Sequence, residues 1–528
     1  MDKVGFICAF LLGGFSFAFF SCKLFSIHQQ CGYKTSEFFT ALFSGKKTEI
    51  WRLTTYSLIF CFLLAILNFV FYNGVFSEYF LPSLITTALS GWYFLSSRQL
   101  KRAVFTKRFV RISICATLIA GLTIAMGYLA FLNAFKGNEL SIVALGFTPI
   151  LSPIFIAVAT VLNLPYDFLK YQISKAVCKR RLRANENLRV IGITGSMGKT
   201  SVKNYLLKML STTYKTLATP ESYNTPLGVC KTVQGGVDGY EFFIVEMGAR
   251  RYGDIKELCN MVAPSVGVIT GIAEQHTQTL KGIQGVIKAK NQLIEGLLPN
   301  GFAVFSNETI GSKTLYEKAQ VEKYRVGFDK ENFVSAQNII QRKDGLYFDL
   351  VIGGKPYQTF MPALGAHNVL NVCLATAVAV KLGVKVSKIL SVIPTLTPPP
   401  HRAEIITTPS GVVVIDDGYN ANLVGVSATA QAVKVFSGYK IAVTSGIVEV
   451  GTRTYEVNFQ LGKTLAENFD EIIAVGINSQ AILDGAKVGG AKFSQSKSTA
   501  MASESLKGRL KSGDVVAFFN DLPDKYDT

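Results

Sequence analysis

The chain has 528 residues, room for about three to four domains at ~150 residues each, and it combines 49% hydrophobic with only 17% charged residues at a formal net charge of +18. This is too apolar for an ordinary soluble protein and too polar for a pure membrane bundle, which excludes a uniform architecture in favour of a split one. The nine cysteines form no Cys-x-x-Cys pair and are widely spaced, which argues against a zinc ribbon and against a disulfide framework.

In chain order, the first elements are apolar. Five stretches, 4–22, 53–77, 79–97, 112–135 and 140–166, contain no Asp, Glu, Lys or Arg, and each reaches the ~20 residues a helix needs to cross a hydrocarbon core. The first lacks the basic start and small-residue cleavage site of a signal peptide, so it is kept as a span. Pro149 and Pro153 should kink the fifth, which is open to being partly re-entrant. Residues 1–166 are therefore expected to be an α-helical membrane domain of about five transmembrane helices. Segment 98–111 carries six basic residues and no acidic one, and 165–183 carries six against one Asp, whereas the loops around Glu78 and around Lys136 and Glu139 are nearly neutral. Basic loops stay on the cytoplasmic side, which puts the amino terminus outside and everything after 165 inside. Both basic segments flank apolar runs, so the excess charge points to membrane lipid as partner and not to nucleic acid, for which no motif is present.

A basic juxtamembrane linker, 167–186, leads to a second half in which strand-like runs alternate with helical patterns. LRVIGIT is followed by the helix of SVKNYLLKMLST; EFFIVEMG, SVGVITGI and GFAVFS are short apolar runs, as buried parallel strands should be. IKAKNQLIEGLL and HNVLNVCLATAVAVKLG read as helices, and 320–362 as a more polar β-like edge region. Pro398, Pro399 and Pro400 break the chain. After them GVVVIDD, KIAVTS and EIIAVG read as strands, with helices near 423–436 and 454–468. The fold class is an α-helical membrane domain plus α/β: a doubly wound central domain at 187–397 and a smaller α/β domain at 398–528.

The turn GITGSMGKTS, 192–201, lies between a strand and a helix. Backbone N–H groups of such a turn can surround phosphate oxygens, with Lys199 reaching the terminal phosphates and Thr200 ligating Mg²⁺. The general pattern GxxxxGK[ST] asks for glycine at 193, where Ile193 stands; Gly192 and Gly195 flank it instead.

With NTPLGV (224–229), VEMGARRYGDI (245–255), GVIKAKNQLIEGL (285–297), GAHNVLNVCLA (365–375) and IDDGYNAN (415–422), this turn resembles, block by block, the Mur ligases. These are ATP-dependent amide-forming enzymes of cell-wall synthesis, and the blocks resemble their D-alanyl-D-alanine-adding, MurF-type branch. The resemblance covers about 186–528. It implies a P-loop-type central ATPase domain, a Rossmann-like carboxy-terminal domain, and an ADP-forming ligase that uses ATP and Mg²⁺ through an acyl phosphate. Two anions must meet in such a reaction, so cations must offset their repulsion.

The resemblance also implies roles. Gly195, Ser196, Gly198, Lys199, Thr200 and Ser201 would hold the triphosphate. Glu246 is similar to the metal-binding glutamate, and His276, in the departing context AEQH, to a metal-associated histidine. Lys290 falls on the lysine that family members often carry as a carbamate, an anion able to support a second Mg²⁺ or order the substrate carboxylate; the other reading is an exposed helix lysine like Lys288. His367, Asn368 and Asn371 lie near the base, 367 and 371 on one helix face. Arg402 would reach phosphate and Asp417 ribose. Asn224, Thr225, Tyr419, Asn420 and Asn422 would lie on the substrate side, with Leu423 where a proline often follows.

Family members carry a uridine-nucleotide-binding domain in front; here apolar spans occupy that place. The acceptor is therefore open between a muramyl peptide and a lipid-linked precursor, and the incoming amine between an amino acid and a dipeptide. The expected location is the bacterial cytoplasmic membrane, multi-pass, with the ligase domain inside. Other readings are a poly-γ-glutamate-type synthetase, a nucleotide-gated transporter or scaffold with a degenerate ligase domain, and an amidating ligase with a glutaminase partner. The last typically carries a four-cysteine zinc insert, which this sequence lacks.

Overall fold

The structure, a computed structural model, describes residues 3–43, 103–135, 148–220, 223–273, 280, 282–418, 423–448, 450 and 453–519. The chain divides into two compact units, Met1–Lys170 and Tyr171–Thr528. In the first, helices α1 (Lys3–Gln30), α2 (Thr35–Phe43), α3 (Lys107–Phe135) and the start of α4 (Thr148–Ala184) are described. Small residues let α1 and α3 approach: a Cβ on Gly121 would lie 2.8 Å from the Phe10 carbonyl oxygen. Phe17, Phe25, Phe109 and Phe155 pack edge to face in the core. Asp167 pairs with both Arg108 and Arg111, so its charge is matched.

Among the described residues two helices, Lys107–Met126 and Leu151–Ala184, are long and apolar enough to cross a membrane. The expected spans 53–77 and 79–97, and the start of the fifth at 140–147, lie outside the described residues. Helix α4 continues through Pro153 and Pro165, so most of the expected linker 167–186 is helical. Its basic side chains do more than offer charge to solvent. Tyr171 and Lys175 each lie 2.6 Å from Glu257 Oε1, and Arg181 donates to the carbonyls of Val233 and Gln234, at a helix end where unpaired carbonyls collect partial negative charge.

The second unit holds two sheets. The larger has strand order β2-β3-β1-β4-β5-β6-β7-β8-β9, built from β1 (Arg189–Thr194), β2 (Thr216–Ala218), β3 (Phe242–Glu246), β4 (Val266–Ile269), β5 (Phe302–Ser306), β6 (Glu322–Gly327), β7 (Val334–Arg342), β8 (Gly345–Ile352) and β9 (Lys355–Met361). β1 to β7 run parallel; β7, β8 and β9 form an antiparallel edge, matching the more polar 320–362 stretch. β3, β4 and β5 are buried along their whole length, because helices cover both faces.

On one face Ile191 and Ile193 pack with Val202, Tyr205 and Leu206 of α5 (Lys199–Leu210) and with Val369 and Val372 of the later helix Ala366–Lys381. On the other, Val190, Phe243 and Val245 pack against α6 (Pro226–Gln234), α7 (Asp254–Val262) and α8 (Ile283–Glu295). Each fully buried Ile, Val or Phe in these layers contributes about 1.5–3 kcal/mol. Gly192 decides how close α8 comes: a Cβ there would lie 2.7 Å from Leu293 Cδ1.

α9 (Ile310–Lys318), α10 (Ala366–Lys381) and α11 (Val386–Val392) complete this part. The second sheet, order β10-β11-β15-β12-β13-β14, comprises β10 (Glu404–Thr407), β11 (Val413–Asp417), β12 (Lys440–Thr444), β13 (Glu471–Val475), β14 (Lys492–Ser496) and β15 (Val515–Phe519), with α12 (Leu423–Ala432), α13 (Thr454–Ala466), α14 (Ser479–Gly489) and α15 (Thr499–Leu506). Only β10 is antiparallel to its neighbour.

In the larger sheet the chain leaves β1 toward β3 on one side and returns to β4 on the other. That is a topological switch point, outside whose carboxyl-end strands ligands bind in open α/β sheets. Register brings the ends level there, with Ile193 opposite Glu246 and Thr194 opposite Ile269.

Candidate active site

The turn after β1 is held by its neighbours. Ser196 N–H donates to the Gly271 carbonyl at 2.7 Å, the Ser196 hydroxyl exchanges bonds with the backbone of Ala273, and the Thr270 hydroxyl donates to the Met197 carbonyl. Two glycines make this possible. A Cβ on Gly195 would stand 2.1 Å from Thr270 Oγ1, and one on Gly198 2.4 Å from Asn371 Oδ1. Gly198 also has φ 77° and caps α5 in a left-handed conformation. The turn thus closes on a helix amino terminus, where unpaired N–H groups favour an anion.

Gly198→Ala should break this turn, because the left-handed backbone alone costs a residue with a Cβ about 1–2 kcal/mol and the Asn371 contact adds to it. The expected result is at least tenfold weaker ADP binding with an unchanged far-UV circular dichroism spectrum. Parental ADP affinity would contradict it.

Glu246, at the end of β3, is the centre of the charged groups. Thr200 Oγ1 donates to its Oε2 at 2.9 Å, Lys203 Nζ lies 3.4 Å from the same oxygen, and Asn224 Nδ2 is 3.4 Å from Oε1. Lys199 rests on its own loop, donating to the carbonyls of Gly195 at 2.9 Å and Ser196 at 3.4 Å. Burial holds its ammonium at a pKa of about 8, with Glu246 opposing and Arg402 adding to the shift. Lys290 is 4% exposed, whereas Lys288 is exposed. Burial, and then the charge of Lys199, bring Lys290 down to about 7, against the pull of Asp254 and Glu246. Lys290 is therefore not the exposed helix lysine of the alternative reading.

Beside the turn lies a cavity of about 300 Å³. Its walls include Met197, Gly198 and Ser201 from the turn, His367, Asn368 and Asn371 from α10, and Arg402 and Asp417 from the second sheet and its approach. Arg402 is presented between two residues with left-handed backbone, His401 (φ 61°) and Ala403 (φ 51°), strain of the kind stored at working sites. The Ala403 N–H and the Thr429 hydroxyl both donate to Asp417, and burial raises the pKa of that carboxyl.

His367 is held neutral, its pKa lowered to about 4 by burial and by Arg402. Its Nδ1 is buried with no hydrogen-bond partner among the described residues. Asn368 is less free for a ligand: its Oδ1 accepts from the Tyr205 hydroxyl and its Nδ2 donates to the Leu364 carbonyl.

These features fit a nucleotide and Mg²⁺. The turn leaves no room for a Cβ, His367, whose Nδ1 has no partner among the described residues, lines the adjoining cavity, and the Thr200 hydroxyl with the Glu246 carboxylate is a hard oxygen pair of the type Mg²⁺ prefers. Asn224 adjoins Glu246, but the Thr225 hydroxyl accepts from the Gly228 N–H and caps α6, which gives it a local structural job. His276, Tyr419, Asn420 and Asn422 lie outside the described residues. Sequence reasoning passed over Lys203, although it lies four residues after Lys199 and so on the same helix face. It also missed Ser306, Glu308, Thr309 and Phe328, which line the cavity and carry no motif.

Residues 193–379 match the Mur ligase middle domain, and 401–519 match the domain described as Mur ligase, glutamate ligase domain. UDP-N-acetylmuramoyl-tripeptide--D-alanyl-D-alanine ligase of Escherichia coli (strain K12) is 28% identical over 305 residues, 57% of this chain and 67% of that protein. The protein of the same name from Bacillus subtilis (strain 168) is 31% identical over 304 residues, 56% of this chain and 65% of that one. The chain thus spans about two thirds of the length of these curated relatives. A crystal structure of MurF from Acinetobacter baumannii superposes with a TM-score of 0.62 at 27% identity, covering 66% of this chain and 77% of that one.

Proposed function

This chain belongs to the Mur ligase family, and we propose that it is an ATP-dependent, ADP-forming ligase of MurF type that joins a carboxylate to an amine in cell-wall precursor synthesis. The observation that carries the reading is the convergence of Lys199 and Thr200 with Glu246 and the buried Lys290 at the switch point of the sheet. A phosphate turn alone would serve any nucleotide enzyme. A second buried lysine within electrostatic reach of the first, brought down to about 7, has the neutral amine that a carbamate on the acceptor side requires.

In the proposed reaction a carboxylate oxygen attacks the γ-phosphorus of ATP and the bond to the β-phosphate oxygen breaks, releasing ADP. The amine nitrogen then attacks the acyl carbon, phosphate leaves with the bonding electrons, and the amine proton passes to solvent. Lys199 and the α5 amino terminus hold the phosphates; Lys290, as a carbamate, orders the acceptor carboxylate; His367 and Asn371 face the base; Arg402 and Asp417 bring the second sheet to the nucleotide. Thr200 and Glu246, with His276, would hold Mg²⁺, which supplies charge neutralisation at the phosphates. Asn224, Tyr419, Asn420 and Asn422 belong to the substrate side. The names of the relatives favour a UDP-muramoyl tripeptide as acceptor and D-Ala-D-Ala as amine; a lipid-linked acceptor is the alternative that the apolar amino-terminal half favours. Detergent-solubilised protein with ATP, Mg²⁺ and each acceptor should release ADP and yield an amide visible by mass spectrometry. ADP release without an amide from any acceptor would overturn the ligase reading.

In this reading residues 1–166 form a multi-span domain that holds the ligase at the inner face of the bacterial cytoplasmic membrane. An unbroken stripe on α3 supports it: Val110, Ile114, Leu118, Leu122 and Met126, four residues apart, are 40% to 60% exposed, as lipid-facing side chains would be. The expected topology is amino terminus outside, five spans, ligase inside. Reporter cysteines in Ser97→Cys and Glu186→Cys should react with a membrane-impermeant maleimide only after the cells are opened. Labelling of either on intact cells would contradict the topology.

A further inference from the structure

We propose that Lys203 is a positioning residue that holds the Glu246 carboxylate while the divalent ion is away, so that the ion enters only together with nucleotide phosphates. The inference rests on the reading of the β1–α5 turn as a nucleotide site. Lys203 is 1% exposed and Glu246 2% exposed. An ion pair so deep is held together because either charge alone would be costly. Lys203 Nζ at 3.4 Å and Thr200 Oγ1 at 2.9 Å address one and the same oxygen, Glu246 Oε2. An ion held by Thr200 and Glu246 would have to compete for this carboxylate with an ammonium that already stands beside it.

The surrounding charges point the same way. Lys199, Lys203 and Lys290 all act on the neighbourhood of this one carboxylate. A bare divalent ion approaching Glu246 therefore meets the Lys203 ammonium as a competitor for its ligand. Nucleotide phosphates reverse that balance: they bring several negative charges to Lys199 and the α5 amino terminus and offer the ion further oxygen ligands. Lys203 thereby makes metal affinity conditional on nucleotide, a coupling that by linkage works in both directions.

The test measures free Mn²⁺ by electron paramagnetic resonance on the full-length solubilised protein, with and without ADP, after ADP binding has been measured separately. The parent should bind Mn²⁺ at least tenfold more weakly without ADP than with it. Lys203→Met should bind nucleotide-free Mn²⁺ at least tenfold more tightly than the parent, which narrows the gap, whereas Lys203→Arg should keep the gap. Equal Mn²⁺ affinity with and without ADP in the parent or in Lys203→Arg overturns the proposal, as does a folded Lys203→Met protein whose nucleotide-free affinity has not risen. If Lys203→Met does not fold, the parent and Lys203→Arg still decide. A parent that binds no ADP at all overturns the nucleotide-site reading itself, and the separate titration identifies that failure.

Discussion

Lys199→Ala should lower ATP-dependent amide formation at least a hundredfold while the protein still folds. Among the described residues Lys199 Nζ donates to the carbonyls of its own loop, Gly195 and Ser196, so its removal breaks no bond to another element of the fold there. What is lost is the cation at the point where phosphoryl charge moves. Deleting one such group from a preorganised site costs about 2.7–4 kcal/mol. In the free protein Lys199 gives up its proton near pH 8, so phosphate capture by the nucleotide-free form should weaken as pH rises through that value. Turnover of Lys199→Ala within threefold of the parent, measured as ADP-coupled amide product, would sink the assignment.

The second large effect is expected at Lys290. Reaction with CO₂ needs a neutral amine, and an ordinary lysine keeps its proton to about 10.4. Burial brings Lys290 down to about 7, which makes a large neutral fraction available at physiological pH. If the amine is carried as a carbamate, Lys290→Ala removes an anion from beside Glu246 and should lose activity by two orders of magnitude or more, on the scale of about 3 kcal/mol for a group acting on the reacting charges. A short-chain carboxylate in the buffer should partly restore it, and strict depletion of bicarbonate should lower the activity of the parent. Parental turnover of Lys290→Ala at limiting Mg²⁺ would refute the role.

The same lysine has a consequence for stability. In CO₂-free buffer the unfolded chain holds its Lys290 proton up to the ordinary value of 10.5, whereas the folded chain releases it near 7. Between those values the unfolded state binds more protons, so stability should rise with pH across the window. Lys290→Met should flatten that rise in a thermal denaturation series.

The sequence by itself determined the architecture of the second half. Glycine placement announced the turn at 192–201, the short apolar runs announced buried parallel strands, and the three prolines at 398–400 lie just ahead of the second sheet. These are local signals, set by period, caps and allowed backbone angles, and they survive without knowledge of neighbours. The five apolar stretches and their basic flanks are legible in the same way, and the membrane assignment rests on them.

Only the tertiary structure decided which charged groups meet. Lys288 and Lys290 are two positions apart, about 200° of rotation on a helix. Which of them is buried depends on how α8 sits against the sheet, where Gly192 lets Leu293 come close. Thr225 and Asn368 carried motif signatures as plain as that of Asn371, yet the first caps a helix and the second is bonded to Tyr205 and Leu364. Lys203, with no motif role to announce it, stands buried against Glu246. Burial and partnership depend on contacts between residues far apart in the chain, which no local pattern encodes.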